Sequence, residues 1–357
     1  MTQRQLDALS PKGKEGGKMK AMVLEKISSV EEKPLKLVEL PQPVPGRGQI
    51  LVRVSACGVC HTELDEIEGR VTPSRFPMIL GHEIVGKVEG LGMGARKFKK
   101  GDRVGIAWIN WACGKCSFCL KGTENLCDTA KWTGKDAPGG YAQYTVVSED
   151  FAYPIPERFT DVKAAPLLCA GVIGYRALRL SGMEDGKVLG LYGFGASAHI
   201  AIQVAKYKYP DGKVFVFTRS HQKEHQDLAR NLGADWIGAT GDTPPEKLNC
   251  AIDFTPVGEP VREALRNLQK GGRVVINAIR KATPIPELDY TEHLWYEKEV
   301  KSVANVTRRD AQEFLPLAAE IPIVPETQEF RLAEANEALV LLKEGKIRGA
   351  GVLKVTE

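Results

Sequence analysis

No apolar run in the 357 residues approaches the ~20 that a helix needs to cross a bilayer, which excludes a transmembrane helix and predicts a soluble protein. Charge of one sign is also scarce: 49 Lys and Arg stand against 45 Asp and Glu. Of the net +4, Arg4, Lys12, Lys14 and Lys18 against Asp7 and Glu15 place +2 before residue 19. The nearly neutral remainder excludes the basic face, interleaved with aromatics, of a nucleic-acid-binding surface. Residues 1–18 lack the apolar core of a secretion signal, contain Gly16-Gly17 and read as a loose extension. With no such signal, the eight cysteines point to metal ligation in a reducing compartment rather than to disulfides, and the cytoplasm is the expected location.

What is present is globular: 43% hydrophobic and 26% charged residues, in a chain longer than one hydrophobic core usually serves. From Met19 to about Gly171, short β-rich runs (Lys20 to Leu24, Gln49 to Ala56, Ile84 to Glu89, Arg103 to Ala107, Gly140 to Val147) are punctuated by Gly and Pro, as in an irregular, mostly β domain. From about Val172 to Ala304, apolar strands alternate with helical patterns: Val188 to Tyr192, Ala196 to Lys206, Val214 to Thr218, Lys223 to Leu232, Ala251 to Phe254, Arg273 to Ile276. That rhythm predicts a parallel sheet with crossover helices. Residues 305–357 return to a mixed pattern, with a helix from Leu332 to Lys343 and a last strand from Gly351 to Val355. The expected architecture is α/β, a doubly wound parallel sheet inserted in a mostly β domain.

Cys113, Cys116, Cys119 and Cys127 crowd into CGKCSFCLKGTENLC. Gaps of this size let a tight turn aim several thiolates at one point, and four thiolates close a tetrahedral zinc shell with no place for substrate. That zinc would be structural. Buried free thiols or two disulfides are the alternative, and the spacing alone says nothing of enzyme class. Three further donors are scattered: Cys60 in CGVCHTE, His82 in GHE and Cys169 in PLLCAG. Catalytic zinc takes three protein ligands and keeps one position exchangeable. Singly each is an ordinary core or loop residue; together, beside the cysteine lobe and a glycine turn, they suggest a second, open zinc site.

Gly193, Gly195 and Ala198 in LGLYGFGASAH form a GxGxxA turn between a predicted strand and a predicted helix, which places a dinucleotide pyrophosphate at the helix N-terminus. An acid at the end of the second strand holds the ribose hydroxyls of NAD and repels a 2′-phosphate. This chain offers Thr218, Arg219 and Ser220 instead, while Asp211 sits in a turn at the strand's other end. A missing acid beside a guanidinium favours NADP(H) over NAD(H). A solvated surface arginine is the plain alternative.

The segments CGVCHTE, LGHEIVGKVEGLG, the cysteine lobe, GDRV, GGYAQY and PLLCAGVIGY resemble, in that order, the zinc-containing medium-chain alcohol dehydrogenases of yeast and bacterial type, over essentially everything after Met19. The resemblance implies a GroES-like catalytic domain (19–171 and 305–357), a Rossmann domain (172–304) and two zinc ions per chain. By it, Cys60, His82 and Cys169 match the catalytic ligands, and Glu83 the acid behind the metal. Thr62 matches the hydroxyl that takes the alcohol proton, His61 a contact to cofactor phosphate, and Arg348 an arginine that reaches the pyrophosphate. Trp108 matches an aromatic against the substrate, with Trp111 and Trp295 near it, favouring a small aliphatic or aromatic alcohol. The chain departs from the pattern where yeast-like members end the relay with histidine and it has Asp65, and where most have Asp and it has Glu63, so either Asp65 or water completes the relay. Reversible hydride transfer between a small alcohol and NAD(P) is implied, with a homo-oligomer, tetramer over dimer, as the assembly. An NADP-dependent cinnamyl-alcohol-type reductase is the alternative within the class; a catalytically dead, zinc-stabilised nucleotide-binding regulator is the alternative outside it.

Overall fold

The computed structural model describes residues 17–347 and 349–356; Arg348 and nearly all of the expected N-terminal extension lie outside them. The described residues form two units. One runs to Cys169 and includes Thr307–Leu315 and the residues from Val324 on; the other comprises Ala170–Val306 and Pro316–Ile323. Helix Arg308–Glu320 contributes to both.

The first unit is organised around the strand Gln49–Val59, whose sequence QILVRVSACGV is mostly buried. It pairs antiparallel with Ile84–Leu91, with Tyr144–Ser148 and with Ala350–Lys354, in a seven-stranded sheet. Thr327–Arg331 closes one edge parallel to Ala350–Lys354, and Arg103–Ile106 and Ala152–Pro154 extend the other. The pairing with Ile84–Leu91 shifts register between Val54 and Ala56. Gly86 lies there because a side chain would come within 2.2 Å of the Arg53 carbonyl oxygen. Cys57 registers with Ile84, so the end of one strand and the start of the next run side by side. Cys60 and His82 are set by that register. A second sheet pairs Lys18–Leu24 with Leu35–Pro41 and Met78–Ile79.

The second unit is a six-stranded parallel sheet in the order Trp236–Ala239, Lys213–Thr218, Val188–Tyr192, Leu248–Asp253, Leu268–Ile276, Glu299–Ser302. The order reverses between Val188–Tyr192 and Leu248–Asp253, the point where open α/β sheets bind their ligands. Strand Val188–Tyr192 is buried throughout, as a central parallel strand covered on both faces must be. Tyr192 stacks on Phe217 with ring centroids 4.1 Å apart, and Trp236 meets Phe217 edge-on at 5.1 Å.

Candidate active site

Cys60, His82, Glu83 and Cys169 converge, each offering a donor atom within 4.8 Å of the others'. Cys60 directly follows the central strand and caps helix His61–Ile67, and Glu63 turns back to accept the Cys60 backbone N–H at 2.8 Å. The other Glu63 oxygen takes the Nδ1–H of His82 at 2.5 Å, in a setting where both residues are fully buried. This fixes the imidazole tautomer and leaves Nε2 as a buried lone pair with no hydrogen-bond partner. Sequence reasoning treated Glu63 only as a departure from aspartate and missed this bracing role. The Cys-x-x-Glu capping-box spacing was the available signal.

A hydrogen bond between the two sulfurs holds the Cys60 thiol well below its ordinary range and Cys169 well above it, as one shared proton must. A divalent cation in place of that proton makes both thiolates. Glu83 packs against bare backbone: a side chain at Gly58 would come within 1.9 Å of Oε2, and the Gly58 N–H donates to the Glu83 carbonyl at 3.0 Å. Burial pushes its carboxyl well above the usual range. Two sulfurs, an orphaned imidazole nitrogen and a carboxylate behind them fit a zinc with one exchangeable position.

Cys113, Cys116, Cys119 and Cys127 likewise lie within 4.8 Å of one another, and none is in a disulfide. A tetrahedron with zinc–sulfur bonds of about 2.3 Å has edges of about 3.8 Å. Cys113 Sγ and Cys119 Sγ are 3.8 Å apart. The Cys116 N–H donates to Cys113 Sγ at 3.3 Å, and Cys127 Sγ lies 3.5 Å from Thr129 Oγ1, the pattern of a thiolate shell. Cys57 is buried but is not among the donors of either cluster, and Cys250 lies 3.8 Å from Met183 Sδ in the other unit.

Thr62 stands at the open cluster, its Oγ1 3.7 Å from Cys60 Sγ, while His61 faces solvent. Asp65 is taken by Arg70, whose Nε is 2.5 Å from Oδ1. Trp108 lies against His82 with ring centroids 5.9 Å apart and packs on Trp132. Trp111 is not brought to the cluster; it is exposed beneath the Lys131 ammonium. Trp295 belongs to the second unit, exposed beside Tyr290 and Tyr296.

In the second unit Gly193 has φ +82°, the left-handed turn that leads out of Val188–Tyr192, and its N–H donates to Phe217 at 2.8 Å. Gly195 begins helix Ala196–Lys208 with no side-chain cap and open space where a Cβ would stand, so the helix's first amides are available to an anion. Ala198 is fully buried. Thr218 is buried and accepts from Gln226 Nε2 at 3.2 Å; Arg219 and Ser220 are exposed, and the Arg219 guanidinium makes no ion pair among the described residues. Asp211 lies in the turn before Lys213–Thr218.

A GroES-like unit and a Rossmann unit of this kind define a medium-chain dehydrogenase. Residues 46–157 match the alcohol dehydrogenase GroES-like domain family. A Mycobacterium tuberculosis protein described as "Probable alcohol dehydrogenase AdhA" is 43% identical over 342 residues, spanning 94% of this chain and 97% of its own. An "NAD-dependent alcohol dehydrogenase" of Sulfolobus acidocaldarius is 35% identical, over 95% of this chain and all of its own. Among solved structures, a cinnamyl alcohol dehydrogenase from Sorghum bicolor superposes with a TM-score of 0.83 at 28% identity, covering 95% of this chain and 98% of that one. The chain belongs to the zinc-type medium-chain alcohol dehydrogenases. It is an oxidoreductase of small molecules in an NAD(P)-dependent, zinc-binding family, and among its described residues no helix is long and apolar enough to cross a membrane.

Proposed function

We propose that the protein is a cytoplasmic, zinc-dependent alcohol dehydrogenase that binds two zinc ions per chain, prefers NADP(H), and interconverts a small primary or secondary alcohol with its aldehyde or ketone. The observation that carries the reading is His82 Nε2, buried and unpartnered among the Cys60, Cys169 and Glu83 donors because Nδ1 is spent on Glu63. Cys60, His82 and Cys169 would hold a zinc ion there, and it would supply Lewis acidity to a bound hydroxyl or carbonyl. Thr62 takes the substrate's hydroxyl proton and passes on its own, since a hydroxyl both accepts and donates. Asp65 is engaged by Arg70, so water receives the proton next. A nicotinamide dinucleotide, its pyrophosphate held at the Gly193–Gly195 turn, would supply the hydride chemistry. The exposed edge strand Glu299–Ser302, with Val300 open, supports assembly into a homo-oligomer, for which a tetramer is proposed.

The test of this reading is metal content together with turnover on an alcohol panel with both cofactors. Glu63 braces His82, and removing such a partner weakens metal binding by about 10- to 100-fold. Glu63→Ala is therefore expected to release the open-site zinc to a chelator at roughly that much lower chelator strength, while the four-cysteine site keeps its metal. Arg219→Asp is expected to lower the NADP-over-NAD ratio of kcat/KM by about 100-fold, through loss of a charged hydrogen bond and gain of repulsion. A wild-type enzyme that prefers NAD would remove the Arg219 argument. The likeness to the Sorghum bicolor cinnamyl alcohol dehydrogenase supports a second reading, action on cinnamyl-type alcohols and aldehydes, for which NADP(H) and the reductive direction are our proposal. Reduction of aryl propenals faster than of aliphatic aldehydes would select it.

A further inference from the structure

Helix His61–Ile67 carries three acids, all buried, and two are spent: Glu63 on Cys60 and His82, Asp65 on Arg70. Glu66 is 0% exposed, and neither of its carboxylate oxygens has a hydrogen-bond partner among the described residues. Lys135, a cation within electrostatic reach, pairs with Asp136 at 3.1 Å instead. An unpartnered buried carboxyl is costly and calls for a reason, of which a bound polar ligand is one. Glu66 follows Thr62 by four residues, so the two share one helix face with Cβ atoms about 5–6 Å apart. His82 and Cys60 lie within electrostatic reach of it. Trp108, against His82, adds a buried indole N–H that is also unpartnered. Beside the reacting end of the site there is thus polar capacity that the reaction itself does not use.

We propose that Glu66 is a specificity-determining residue that selects alcohols carrying a second hydroxyl, hydrogen-bonding it while the first hydroxyl meets Thr62. The separation of one helical turn suits a second hydroxyl two or three carbons from the first. Burial pushes the Glu66 carboxyl well above its ordinary range, which favours a neutral hydroxyl over an ammonium group as partner. The proposal rests on the alcohol-oxidising reading above.

The experiment compares kcat/KM for 1-butanol, 1,3-butanediol, 1,4-butanediol and 4-amino-1-butanol in the wild type, Glu66→Gln and Glu66→Leu, each checked for zinc content. The wild type is expected to favour at least one diol over 1-butanol by about 10- to 100-fold. That ratio should collapse in Glu66→Leu, mainly through KM for the diol, and survive in part in Glu66→Gln. A wild type with no diol preference overturns the proposal, and so does a ratio unchanged in Glu66→Leu. An equal fall for mono-ol and diol also overturns it, since that marks a structural or proton-carrying group. Preference for the amino alcohol overturns the choice of hydroxyl. Should Glu66→Leu not fold, the wild-type ratio and Glu66→Gln decide. Turnover of none of the alcohols would instead sink the underlying reading.

Discussion

Cys169→Ala is expected to lower kcat/KM by about ten-thousand-fold or more and to reduce bound zinc from two ions per chain to one. The magnitude follows from the job assigned to the metal. Charge stabilisation by a Lewis acid contributes several kcal/mol to the transition state, and about 5.5 kcal/mol corresponds to four decades in rate. Removing one of two sulfurs leaves Cys60, His82 and Glu83, whose donor atoms already lie within 4.8 Å of one another. Among the described residues Glu83 is the one other donor that can replace the lost sulfur, so metal retained in Cys169→Ala that disappears when Glu83→Gln is added identifies that rescue. Metal analysis alongside circular dichroism separates loss of the site from loss of the fold. One zinc in the wild type, or an active Cys169→Ala enzyme, would sink the mechanism.

How much of this was legible beforehand depended on how local the signal is. The four-cysteine lobe is written in one short segment, and its donors meet in space as that spacing implies. Strand Val188–Tyr192 was delimited to the residue, because a buried parallel strand is a plain apolar run ended by a glycine that must adopt positive φ. Helix His61–Ile67 shows the opposite case. Residues 62–66 are mostly polar and carry three acids, yet residues 62 to 67 are all buried. The Cys-x-x-Glu spacing marks Glu63 as a capping residue, but only the register of Gln49–Val59 against Ile84–Leu91 brings His82 to it, and nothing local marks Glu66 as buried without a partner. Strands such as Thr327–Arg331 (TQEFR) were missed for a related reason. They are partly exposed edge segments that exist through pairing with Ala350–Lys354 rather than through their own apolar pattern. Helix Ala170–Ser181 was hidden by starting immediately after Cys169, where the apolar run continues without a break.

The mirror experiment, Cys119→Ala, should also remove one zinc, but its large effect falls on stability. Structural zinc binding provides about 10–16 kcal/mol in small isolated domains, most of it coupled to ordering the loop. Here the loop has other anchors. Strand Ile109–Trp111 pairs with Lys131–Trp132, and Glu124, almost fully buried, accepts from the Arg308 backbone N–H at 2.8 Å and from its Nε at 3.0 Å. Only part of the binding energy should therefore appear as lost global stability, about 4 kcal/mol, or a fall in Tm of roughly 5 °C in a chain of this size. Hydrogen exchange should rise across residues 113–127 before it rises elsewhere. The open cluster shares no donor with this lobe, so Cys119→Ala should keep its second zinc and lose far less kcat/KM at 25 °C than Cys169→Ala does. The two variants thus exchange effects: the same loss of one ion costs activity in one and stability in the other. Equal losses of activity in both would mean that the clusters are not divided into a catalytic and a structural site, and an unchanged Tm in Cys119→Ala would mean that Glu124 and the strand pair hold the lobe without its metal.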